Sequence, residues 1–127
     1  MNVSLITSTG FTIYSYESGK IVIIENETSE KKEYTQSLII SPRQIQTRWP
    51  IREFSELRRE DFKNLLAFEP EVILLGTGDK ILFPSHELLK DIYSTQIGIE
   101  IMTTDAACRT YTILSSDNRK VLAALII

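Results

Sequence analysis

Val72-Ile73-Leu74-Leu75-Gly76-Thr77-Gly78-Asp79 is the stretch whose reading decides the fold. Its first four residues are apolar without alternation, the pattern of a strand buried on both faces, and Pro70 ahead and two glycines behind bound it. Ile99-Glu100-Ile101-Met102 reads as a second strand. Between them Ser85 can cap a helix with Glu87 in its first turn, Leu88, Leu89, Ile92 and Tyr93 as its apolar stripe and Gly98 at its end. Ile81-Leu82-Phe83 before it reads as a brief extended segment. Two strands joined by a helix of about ten residues form a crossover unit and should be parallel neighbours or near neighbours.

The same rhythm continues to the end of the chain. Thr103 or Thr104 caps a helix to about Leu114, with Ala107, Tyr111 and Leu114 at i, i+4 and i+7. Ser115 to Asn118 is a turn, and Val121 to Ile127 a last, fully buried strand. Upstream, Ser55 can cap a short helix carrying Phe62, Leu65 and Leu66. Before Pro50 the texture is β-rich. Phe11 to Ile24 predicts a hairpin with its turn at Glu17-Ser18-Gly19-Lys20, Asn26 to Lys32 a solvated connection, and Glu33 to Ile40 a third strand stopped by Ser41-Pro42.

With 127 residues, 43% of them apolar and 24% charged, the chain fits one globular domain over 1–127 that needs no disulfide staples. The net charge of −3 and the absence of any Lys/Arg run argue against a nucleic-acid partner. Arg48 to Lys63 mixes five basic with four acidic residues, which reads as a solvated face. A single cysteine permits no intrachain disulfide and suits a reducing compartment. The first ten residues resemble neither a secretory signal nor a transit peptide, and the longest apolar run is seven residues, so a soluble cytoplasmic protein without a transmembrane segment is expected.

Parallel α/β sheets bind ligands beyond the carboxyl ends of their strands. Gly76, Thr77 and Gly78 leave one such strand; Thr103, Thr104 and Asp105 leave the other and open a helix, with Arg109 one turn in. Together they are the candidate ligand or partner site: backbone donors, hydroxyls and one guanidinium. The plainer reading is that the glycines turn the chain and the threonines cap the helix. Gly76-Thr77-Gly78 lacks the P-loop's Gly-x-x-x-x-Gly-Lys-Ser/Thr, and Asp105 would repel a phosphate. Cys108 has no resolving cysteine, and His86 belongs to another helix, so Cys108 reads as a small packing residue. One Cys and one His do not make a zinc site, Ser85 and His86 do not make a triad, and no cofactor is expected. Trp49, beside Pro50, is either a lid over the core or an exposed anchor for a partner.

Several segments in order carry a family resemblance: Gly19-Lys20-Ile21, Ser37-Leu38-Ile39-Ile40-Ser41-Pro42, Trp49-Pro50, Leu74-Leu75-Gly76-Thr77-Gly78, Gly98 to Met102, Thr104-Asp105-Ala106-Ala107-Cys108-Arg109-Thr110-Tyr111 and Arg119 to Leu125. The chain resembles, from about Gly10 to its end, the family that includes the mitochondrial NADH:ubiquinone oxidoreductase (complex I) assembly factor 3 and uncharacterised bacterial and archaeal proteins. The resemblance implies a three-layer α/β fold with a central mixed, largely parallel sheet, a last strand antiparallel to the others, and the N-terminal hairpin as an added layer. It also implies no established enzyme activity and a role through protein contacts, with respiratory-complex subunits as the model partner. Thr103 and Thr112 depart from the family pattern, which commonly has aspartate and asparagine there. The lack of a transit peptide points to a bacterial member. The expectation is therefore a non-enzymatic interaction module, an assembly factor for a respiratory or membrane complex, with a small-ligand or anion binder at 76–78 and 103–109 as the alternative.

Overall fold

The computed structural model of the chain describes residues 10–17 and 19–127. The reading of residues 1–9 as free of a targeting signal, and Ser18 in the first turn, lie outside them. Among the described residues eight strands form two sheets: β1 (Phe11–Glu17), β2 (Lys20–Glu25) and β3 (Glu30–Tyr34) make an antiparallel meander. β4 (Leu38–Ile40), β5 (Ile45–Gln46), β6 (Val72–Gly76), β7 (Gly98–Met102) and β8 (Val121–Leu125) make the central sheet, in the order β5-β4-β8-β6-β7. The helices are α1 (Arg59–Leu65), α2 (Lys90–Tyr93) and α3 (Thr104–Ser116).

β6 and β7 pair in parallel from Val72↔Gly98 to Gly76↔Met102, as the crossover pattern requires. β8 departs from expectation. It is antiparallel only to β4 and runs parallel to β6, from Val72↔Val121 to Gly76↔Leu125. The cause is α3: thirteen helical residues span about 20 Å, the length of the sheet, and return the chain to the amino end of β6 before β8 begins. The antiparallel member of the sheet is β4.

Every side chain of β6 and β8 is buried, because both faces of the central sheet are covered. On one face Leu38, Ile40, Leu74, Ala123 and Leu125 meet Ala107, Cys108 and Tyr111 of α3 and Ile13, Ile21 and Ile23 of the meander. On the other, Ile39, Ile73, Leu75, Leu122 and Ala124 meet Trp49, Phe62, Leu65, Leu89 and Ile92. The three layers are thus α3 with the meander, the central sheet, and α1 with α2. The Tyr111 hydroxyl donates to the Phe11 carbonyl at 2.8 Å and ties α3 to the meander.

Local details differ from the sequence reading. The predicted third strand, 33–40, is divided between β3 and β4, which lie in different sheets, and the last three residues of the expected connection 26–32 belong to β3. Ser55 caps nothing. It sits in a 3-10 turn (Phe54–Glu56), and α1 begins only at Arg59, where the Asp61 carboxylate accepts the Arg58 N–H at 2.8 Å. The helix expected from Ser85 is mostly non-helical turn. Only Lys90–Tyr93 is α-helical, and Gly98 begins β7 rather than ending a helix. Ile81 to Phe83 pairs with no strand.

Candidate functional site

The carboxyl edge of the parallel strands is stitched together by one buried threonine. The Thr104 N–H donates to the Gly78 carbonyl at 3.0 Å. The Thr104 hydroxyl accepts the Gly78 N–H at 2.8 Å and donates to the Ile126 carbonyl at 2.6 Å. The Thr77 N–H reaches the Met102 carbonyl, and the Ile126 N–H reaches the Gly76 carbonyl. Gly76 is needed for this closeness, since a Cβ there would lie 2.9 Å from the Thr104 Cα and 3.0 Å from its Oγ1.

Helix α3 starts with two of its free donors already committed. Thr103 is the N-cap, its hydroxyl accepting the Ala106 N–H at 3.3 Å and its carbonyl the Ala107 N–H at 2.9 Å. With Thr104 bonded to Gly78, two of the first-turn N–H groups that an anion would need, those of Thr104 and Ala106, are occupied. Arg109 does not lean over this turn towards the glycines. Its guanidinium pairs with Asp105 one turn back, both side chains more than half exposed. The expected constellation therefore comes apart: Gly76, Thr77, Gly78 and Thr104 are brought together as a structural knot, Thr103 caps the helix, and Asp105 and Arg109 satisfy each other on the surface.

The remaining singled-out residues have equally definite places. Burial, with the Asp105 carboxylate adding to it, pushes the Cys108 thiol up to about 12, the state of an inert packing residue. His86 packs against Tyr93 with ring centroids 5.0 Å apart and the rings tilted by 39°. Of the two roles open to Trp49, the structure shows the lid. It is 6% exposed and packs into the core beside α1 and α2, with its backbone N–H donating to the Ser37 carbonyl at 2.8 Å. Among the described residues no group of His, Cys, Asp and Glu is placed to hold a metal ion. No helix there is long and apolar enough to cross a membrane.

Beyond the knot lies a feature the sequence reading passed over. The Thr77 hydroxyl donates to the Lys80 carbonyl at 2.5 Å and accepts the Leu82 N–H at 3.2 Å, which fixes the loop leaving β6. That loop carries Ile81, Leu82 and Phe83 outward, 46%, 43% and 69% exposed. An extended apolar triplet has two readings, buried strand or presented surface, and only the missing strand partner separates them. The same loop borders an open cleft of about 530 Å³, where Thr77, Gly78 and Asp79 face Arg52, Lys80 and Tyr16. Thr103, Asp105 and Arg109 do not line it. At the opposite end of the sheet a larger cleft of about 680 Å³ opens between the β4–β5 turn and the connections entering β6 and β8.

The profile of a family described as "Protein of unknown function (DUF498/DUF598)" matches residues 13–126, and the chain belongs to that family. The "13 kDa major membrane protein" of Francisella tularensis subsp. holarctica is 34% identical over 95 residues, covering 74% of this chain and 77% of that one. The zebrafish (Danio rerio) "NADH dehydrogenase [ubiquinone] 1 alpha subcomplex assembly factor 3" is 31% identical over 94% of this chain. The chain spans 66% of that zebrafish protein and 44% of the human one. Among solved structures, a Bordetella parapertussis protein aligns with a TM-score of 0.80 at 26% identity, covering 92% of this chain and 95% of its own. One from Xanthomonas campestris aligns with 0.78 at 33%, covering 92% and 84%. The family read from the sequence segments and the mixed α/β architecture are both borne out.

Proposed function

We propose that this family member is a non-enzymatic protein-interaction module, acting as one cytoplasmic domain that assists assembly of a respiratory or membrane complex, with Ile81-Leu82-Phe83 as its contact. The observation that carries the reading is that triplet. Three consecutive large apolar side chains held in water are unfavourable by the hydrophobic effect, and the Thr77 hydroxyl holds their loop in one shape rather than letting it collapse. A preformed apolar loop loses little conformational entropy on binding. The names of the relatives, an assembly factor and a major membrane protein, support the kind of partner proposed. The test is affinity capture from native cells with the wild-type chain and with Phe83→Ser. A defined set of proteins retained by the first and lost by the second supports the reading; identical recovery overturns it.

The alternative, a small-anion binder at 76–78 and 103–109, draws on the cleft where Arg52 and Lys80 stand near Thr77 and Gly78. Against it stand the occupied donors of α3 and the Arg109–Asp105 pair. A thermal shift with inorganic phosphate that disappears in Arg52→Ala would favour this alternative.

A further inference from the structure

The cleft at the amino end of the parallel strands is the larger of the two described, and its charge runs against that of the chain. Its lining holds Arg43, Arg119 and Lys120 against one carboxylate, Glu69, whereas the whole sequence has 14 Lys and Arg against 17 Asp and Glu. Arg119 is held by Glu71 at 3.3 Å. Among the described residues Arg43 and Lys120 have no carboxylate within ion-pair distance, and both are exposed.

These cations come from two separate connections. Arg43 stands on the turn between β4 and β5, braced by the Ser41 hydroxyl accepting the Gln44 N–H at 3.0 Å. Arg119 and Lys120 stand on the connection from α3 into β8, braced by the Glu71 carboxylate accepting the Lys120 N–H at 2.8 Å. Two further lining residues, Glu69 and Asn118, hold left-handed backbone with φ of 54° and 61°. Such conformations in residues other than glycine carry strain and persist only where the surroundings enforce them. The lining also holds apolar surface of Pro42, beside Arg43, and of the half-buried Phe68, while Pro70 is buried.

We infer that this cleft binds an acidic, extended segment of a protein partner, its carboxylates against Arg43 and Lys120 and its apolar side chains against Phe68 and Pro42. Charge complementarity selects the occupant: a cleft bearing excess positive charge in a chain of net −3 attracts an acidic chain and repels a basic one. Cations placed on two connections, with apolar surface in the same lining, match a chain lying along the cleft better than a compact anion fixed at one point. The inference rests on the reading of the chain as an interaction module but not on the loop at 81–83, which lies at the other end of the sheet.

The test is fluorescence anisotropy with the full chain and a labelled peptide alternating Asp or Glu with Leu. Its neutral counterpart, with Asn and Gln, is the control. The acidic peptide should bind with an affinity that falls with added salt, because exposed charges are screened. It should weaken about tenfold or more in Arg43→Glu/Lys120→Glu, and remain unchanged in Phe83→Ser. Both altered residues are exposed, so the fold is expected to persist, and Arg43→Gln/Lys120→Gln gives a milder second variant whose effect should be intermediate. Equal binding of the neutral peptide overturns the proposal, as does indifference to both double variants. Displacement by inorganic pyrophosphate as effectively as by the unlabelled peptide makes this a small-anion site and also overturns it. Loss of native partners in Phe83→Ser with peptide binding intact separates the two surfaces.

Discussion

Gly78 and Thr104 hold each other reciprocally: each donates its N–H to the other, to the Thr104 hydroxyl at 2.8 Å and to the Gly78 carbonyl at 3.0 Å. The same hydroxyl donates to the Ile126 carbonyl, so one fully buried side chain joins the ends of β6 and β8 to the start of α3. Thr104→Val keeps the shape but leaves the Gly78 N–H and the Ile126 carbonyl without this partner. It should cost about 2–4 kcal/mol in urea unfolding, and Thr104→Ser, which keeps the hydroxyl, under about 1 kcal/mol. Equal loss in the two variants would show that the methyl group, which only the serine lacks, contributes as much as the hydroxyl.

Gly76 tests the same contact from the other side. An alanine Cβ would press on the Thr104 Cα at 2.9 Å and on the Leu125 Cδ2 at 3.1 Å. The leucine can move; the backbone of α3 cannot without breaking the knot. Gly76→Ala should destabilise by about 1–3 kcal/mol, read from the unfolding midpoint. A stability gain, as expected for a glycine in open space, would show that α3 sits farther from β6.

Trp49 is the only tryptophan, so intrinsic fluorescence reports on it alone. As a lid with 6% exposure it should emit at short wavelength and resist acrylamide quenching until the chain unfolds. Trp49→Ala should cost about 3–5 kcal/mol. Long-wavelength, freely quenched emission from the native chain would return the indole to the role of exposed anchor.

Cys108 sets an alkaline limit. Burial raises its folded value from an ordinary 9.0 to about 12, and burial raises the Tyr111 hydroxyl as well. A group raised in the folded state contributes its full stability below the unfolded value and loses it as pH climbs through the folded one. The urea midpoint should therefore fall as pH rises from about 9 towards 12, and Cys108→Ala should remove part of that slope. At about pH 8 the native thiol should ignore a disulfide reagent and react once unfolded. Fast labelling of the folded protein would contradict its burial.

Much of this was legible along the chain. The unalternated run Val72 to Leu75, the cap at Thr103 or Thr104, which proved to be Thr103, and the run ending at Ile127 carry their signals locally, and such signals are a property of sequence. Ser55 and Gly98 misled for a related reason, and Ser85, whose hydroxyl accepts the Leu88 N–H at 3.4 Å, opens a turn rather than a long helix. Each has the chemistry of a helix end, but a cap acts only where packing allows a helix, and the segments beside them are too short to form more than a turn or four residues.

What the sequence determined by itself was the class of fold, the family and the parallel β6–β7 unit, because these rest on neighbouring residues and their spacing. Only the tertiary structure decided the direction of β8, the split of 33–40 between two sheets, the burial of Trp49 and the outward turn of Phe83. It also decided that Thr104 faces Gly78 and Ile126 while Arg109 turns to Asp105. Those are pairings between residues distant in the chain, or competitions between near-equal local partners. Their free energies depend on what else is packed beside them, which no stretch of sequence carries alone.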